Sequence, residues 1–60
     1  METITGIFVR EIGSITVGTN TVTSISPCKY MGRDMIVVKY KDGSGRFVSI
    51  EHVIALDFDK

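Results

Sequence analysis

Few of the 60 residues carry side chains able to do covalent chemistry. His52 is the one histidine and Cys28 the one cysteine. Ser44, Ser49, Asp57 and Asp59 are the other groups toward the C-terminal half that could complete a nucleophile–base pair. Such a pair needs hydrogen-bond contact, preorganised oxyanion donors and a rigid shell holding both. A chain this short has little material for that shell, so the expectation is a non-enzyme with no catalytic residue. His52 reads as an exposed residue on a tight turn, and Cys28 as a small apolar filler after Pro27. Asp57 and Asp59 point the same way on a strand, yet a hard cation wants more oxygen ligands than two carboxylates supply. No Cys/His set exists for zinc, so neither metal nor cofactor is expected. Gly43-Ser44-Gly45 is no phosphate loop, because a hairpin leaves no helix N-terminus behind it.

Charge offers a different chemistry. The formal net charge is zero. Residues 29 to 46, however, hold Lys29, Arg33, Lys39, Lys41 and Arg46 against Asp34 and Asp42, five cations to two anions, a net of +3. The two flanking segments are acidic, so the chain is a dipole. A nucleic-acid interface would place Lys39, Lys41 and Arg46 on one exposed face of the hairpin over residues 39–46, with Tyr30 as a stacking platform. Against it stand a pI of 6.5, the lack of tryptophan, and the use of lysines to keep a sheet edge soluble. A third option is capture of a small anionic ligand at a subunit interface by Lys29, Arg33 and Arg46.

The elements that must position these groups are strands. Met35–Lys41 is rich in β-branched and aromatic residues. Its alternation puts Ile36, Val38 and Tyr40 on one face, with Met35, Val37, Lys39 and Lys41 on the other. Asp42-Gly43-Ser44-Gly45 is a hairpin turn, and residues 46–50 return as its partner strand. Residues 49–53 form a single 3₁₀-like turn. Ile54, Leu56 and Phe58 then alternate with Ala55, Asp57 and Asp59 in a closing strand. Upstream, residues 3–10 form a first strand in which Gly6 marks a bulge or close approach. Residues 15–18 and 21–26 are further strands, separated by turns at 11–14 and 18–20. Pro27 ends the last of them or sits at an edge. Residues 28–34 read as the longest loop. No window has a helical period.

The fold expected is therefore all-β: one domain over residues 1–60, a five- to six-stranded antiparallel barrel or strongly bent sheet. Its expected core is Ile36, Val38, Tyr40, Phe47, Ile54, Leu56 and Phe58. Strand, hairpin, strand, tight turn, strand is a pattern similar to the end of SH3-like and Sm-like barrels. Lys41-Asp42-Gly43, Phe47-Val48 and His52-Val53-Ile54 more closely resemble the second Sm motif of the bacterial Sm-like RNA-chaperone family. That resemblance implies an Sm-like barrel, with His52 beside the RNA-binding pore of a ring. Glu51 stands where the family's motif has a lysine, and the Gly43–His52 spacing is one residue longer. The fold is carried over and the RNA activity is not.

A 60-residue domain buries only about 60% of the surface its unfolded chain exposes. A lone cysteine allows no internal disulfide, so oligomerisation is the remaining staple. Met35, Val37, Val48 and Ile50 are apolar residues surplus to one small core, and they form the expected binding face. The leading expectation is a non-enzymatic protein-interaction module, most simply a two-fold dimer, which binds or blocks a partner protein. Small regulatory or host-modulating proteins of phages and mobile elements are of this size. The start of the sequence lacks a basic segment followed by an apolar one, and no apolar run is long enough to span a bilayer. A soluble, cytoplasmic protein is expected.

Overall fold

The computed structural model describes residues 3–59. It contains two three-stranded antiparallel sheets, with no α-helix among the described residues. Sheet A has the order β2-β1-β6, made of β1 (Thr3–Val9), β2 (Gly13–Thr16) and β6 (Val53–Asp59). Sheet B has the order β3-β4-β5, made of β3 (Val22–Tyr30), β4 (Arg33–Tyr40) and β5 (Gly45–Ser49). One 3₁₀ turn, Ile50–His52, leads from β5 into β6.

The sheets meet at a corner between β2 and β3. There the Val17 amide donates to the Thr5 carbonyl, Gly18 to Val22, and Lys41 to Thr21. On the far side β5 and β6 are not paired with each other, so the two sheets do not close into a barrel. The core between them is Ile7 and Val9 from β1, Val22 and Ile25 from β3, Ile36 and Val38 from β4, and Val48 from β5. Tyr40, Ile15 and Val53 pack partly buried against it.

Gly6 marks both features expected of it. The β1–β6 register shifts between Ile4 and Gly6, and a Cβ on Gly6 would lie 3.3 Å from the Ile15 carbonyl oxygen.

Two local expectations are corrected, and of the two alternatives for Pro27 the edge position holds. Residues 28–34 are not a loop: β3 continues to Tyr30 and turns back at once through Met31-Gly32. Both turn residues have positive φ, 52° and 78°, the conformation of a two-residue type I′ hairpin. Pro27 does not end β3. It lies within an edge strand, where its missing N–H breaks no ladder on the open side. The second strand begins at Gly13 and ends at Thr16, two residues earlier than expected.

A third correction concerns the phase of β5. The β4–β5 loop is Lys41-Asp42-Gly43, because Tyr40 N–H donates to the Ser44 carbonyl and Gly43 N–H to the Tyr40 carbonyl. Gly43 sits at φ 92°, as in a type I turn closed by a left-handed glycine. Ile36 thereby faces Val48, and Val37 faces Phe47. A turn over residues 42–45 would have reversed that parity. Val48 is accordingly core, 5% exposed, and Phe47 is half exposed, the opposite of the sequence expectation for both.

Leu56 and Phe58 share a strand face as expected, but the β1–β6 register shifts between Phe8 and Val9 and leaves Ile54 at a bulge. Ile54, Leu56 and Phe58 are 59%, 38% and 52% exposed and lie outside the core. Their strand is the edge of sheet A, and sheet B does not reach over it.

Candidate functional site: the open side

The chemistry-bearing residues are dispersed. His52 ends the 3₁₀ turn, where its carbonyl accepts the Arg10 amide at 2.9 Å. Its ring lies 3.8 Å from the Glu51 carboxylate, both side chains being exposed. Cys28 is a free, half-buried thiol on β3, opposite Met35. No side-chain hydrogen bond joins His52 to Cys28, Ser44 or Ser49 among the described residues. Nor does any group of three metal-ligating side chains occur among them.

Asp42 has the most structured polar surroundings. Its Oδ1 accepts the Ser44 hydroxyl and, at 2.9 Å, the Ser44 amide. These two hydrogen bonds hold the Asp42 carboxyl below its ordinary value near 3.8, the hydroxyl contributing most. The pair shapes the hairpin and faces no cavity.

The cations do not converge. Lys39 lies on the outer face of sheet B, whereas register puts Arg46 in the Val38 row, on the opposite face. Lys41 is in the turn. The expected single face of Lys39, Lys41 and Arg46 does not form, because the three-residue loop fixes the parity of Arg46. The anion set is also split. Lys29 pairs with Asp34 at 3.8 Å, and Arg33 is opposite Tyr30 at the β3–β4 turn. Arg46 stands opposite Val38, four positions along β4 from Asp34, about 13 Å at the usual strand rise.

The outer face of sheet B gathers what remains of the recognition residues. Tyr30 and Phe47 stack with ring centroids 4.6 Å apart and planes 21° from parallel. By register they share this face with Arg33, Met35, Val37 and Lys39. Met35 and Val37 are half-buried there, so two of the four residues expected on the binding face lie on this surface. Val48 is inside, and Ile50 is 45% exposed in the 3₁₀ turn.

The open side between the sheets carries the larger apolar exposure. β6 is exposed along its length after Val53, with Leu56 and Phe58 on one face and Ile54 at the bulge. Beside it, a cleft of 370 Å³ opens between the β1–β2 turn and β5. Val9 and the half-exposed Ile12 and Phe47 line it with Arg10, Arg46 and His52, beside the carboxylate of Glu11. Sequence reasoning missed Arg10 and Ile12, because only the fold brings the first turn beside β5. It found the β6 triplet by alternation and placed it in the core. Only strand order distinguishes a covered apolar face from an open one.

No family model, curated protein or solved structure matches the chain. The functional reading therefore rests on this geometry. No helix among the described residues is long and apolar enough to cross a membrane.

Proposed function

We propose that this chain is a non-enzymatic protein-interaction module that self-associates and acts by occupying the surface of a protein partner. One observation carries the reading: β6, a strand at the edge of its sheet, presents Leu56 and Phe58 to solvent on a single face, with Ile54 exposed at the bulge beside them. Large apolar residues aligned on an open edge are an aggregation hazard unless another chain covers them. The strand order and the 3₁₀ turn before the last strand support an open relative of SH3-like and Sm-like barrels. The free Cys28 thiol supports a reducing compartment such as the cytoplasm. An exposed apolar surface suited to covering a partner supports a regulatory or host-modulating role.

Sedimentation equilibrium from low to high micromolar concentration tests self-association. The expected result is a mass above 6.6 kDa, with a melting temperature that rises with concentration, since only the folded state associates. A well-folded 6.6 kDa monomer throughout would remove self-association from the proposal.

The Tyr30–Phe47 stack, with Arg33 and Lys39 on its face, favours a second reading: weak binding of single-stranded nucleic acid. Anisotropy of a labelled oligonucleotide across a salt series tests it. Replacing Arg33 or Lys39 by alanine should lower the log–log slope by about 0.7 for each phosphate no longer neutralised.

A further inference from the structure

We infer that the self-association proposed above, on which this inference rests, is a two-fold antiparallel pairing of β6 with β6 of a second copy. Leu56 faces Leu56 across the axis. One edge of β6 is paired with β1, and among the described residues no strand lies beside the other. A second copy is the occupant because β6 is complementary to itself in one register, selected by face parity and by charge.

In an antiparallel pair, residues directly opposite each other point to the same side of the sheet. Registers that set Leu56 against Asp57 would turn an apolar row toward a charged one, and parity removes them. Of those that keep the faces aligned, centring on Asp57 would bring two aspartates face to face, where like charges are destabilising. Centring on Leu56 places Ile54 opposite Phe58 and Phe58 opposite Ile54. Asp57 then falls opposite Ala55. Leu56 then meets Leu56, Phe58 meets Ile54 at the bulge, and no carboxylate meets its like. Centring on Ala55 keeps parity too, but it strands Phe58 beyond the partner strand, opposite His52.

The edge formed by β5 is a poorer partner for β6. Val48 is committed to the core, and the Phe47 ring is stacked on Tyr30. β5 therefore has no exposed apolar row to set against Ile54, Leu56 and Phe58. A head-to-tail contact would also leave an open edge on each end, whereas the two-fold pairing closes after two copies. The result is a continuous six-stranded sheet, β2-β1-β6 joined to its symmetry mate.

Cysteine crosslinking in a Cys28→Ser background tests the register. Directly opposed residues of an antiparallel pair have Cα atoms about 4.5–5.5 Å apart, within disulfide range. Oxidised Leu56→Cys should run mainly at twice 6.6 kDa. Ile54→Cys alone should stay monomeric on a non-reducing gel, while Ile54→Cys mixed with Phe58→Cys should give the mixed dimer by intact mass. The mixed pair keeps the test available if Leu56→Cys does not fold by circular dichroism. Equal crosslinking of all single variants would overturn the register. Crosslinking of Leu56→Cys only with Arg46→Cys on β5 would establish head-to-tail pairing and overturn the two-fold arrangement. A dimer by sedimentation that no β6 cysteine traps would overturn this inference and leave self-association standing. A folded monomer would end both.

Discussion

β4 and β6 are written in the same alphabet and meet opposite fates. Ile36 and Val38 alternate on β4 as Leu56 and Phe58 do on β6, each row facing the space between the sheets. Ile36 is 1% exposed and Val38 fully buried, whereas Leu56 is 38% and Phe58 52% exposed. The difference is position in the sheet. β4 is the middle strand of sheet B, and its inner row packs in one core with Ile7 and Val9 of β1, while β6 is an edge that nothing overhangs. Alternation identifies which side chains travel together. Whether they are dry depends on strand order, a property of the whole chain.

That contrast predicts a hierarchy of effects. Ile36→Ala should cost about 2–5 kcal/mol, comparable with the roughly 3–9 kcal/mol total expected for a domain of this size. Urea unfolding should show a largely unfolded protein. Val48→Glu should do the same, by burying a charge in the core rather than by splitting a dimer. Leu56→Ala should cost the isolated chain less, about 1–2 kcal/mol, because much of the side chain is already wet. Its larger effect should be a lower sedimentation mass. If dilute Leu56→Ala unfolds as readily as Ile36→Ala, β6 is covered within one chain and the contrast is false.

Smaller effects test the hairpins that keep β4 central. Gly32→Ala forces a Cβ into the left-handed region and should cost about 1–2 kcal/mol in thermal or urea unfolding. Met31→Asn should stabilise by up to about 1 kcal/mol, since asparagine tolerates the φ of 52° that Met31 adopts. The smallest effect is that of Asp42. Its folded carboxyl is held below the ordinary value by Ser44, so its stabilisation is present above that value and lost as pH falls through the folded one. Wild type should melt slightly above Asp42→Asn at neutral pH, the gap closing only below about pH 4. A gap that persisted in acid would show that the carboxylate charge is irrelevant to the turn.

Much of this fold is legible in the residues, and the failures have physical causes. The all-β character, the 3₁₀ turn, the bulge at Gly6 and the shared face of Leu56 and Phe58 all follow from local pattern, whereas the bulge at Ile54 does not. The Met31-Gly32 turn leaves a weak signal because methionine is not a turn-former; Gly32 is the only cue. Phe47 and Val48 exchange roles because one residue of loop length decides parity, and Asp42-Gly43-Ser44-Gly45 contains two glycines able to close the turn. Candidate binding residues are recognisable as types and not as a set. Lys39 and Arg46 lie on opposite faces for that same reason of parity. Arg10 and Ile12 join the cleft through packing between distant segments that no local signal announces.

The β1–β6 pairing brings Thr3 opposite Asp59 and Ile4 opposite Phe58. Sheet B is assembled from neighbouring hairpins, but sheet A requires the two ends of the chain to find each other. Closing a loop of roughly 50 residues costs about 2–3 kcal/mol more entropy than closing a three-residue one. Folding is therefore expected to run from the β3–β4–β5 meander outward, with the β1–β6 seam forming last, behind a high-contact-order transition state. Until it forms, β1 is paired only with β2, and β6 is an apolar strand without a neighbour. The risk of mispairing is concentrated in that interval. Pulsed hydrogen exchange should record it as late protection of the β1 and β6 amides, after those of β4.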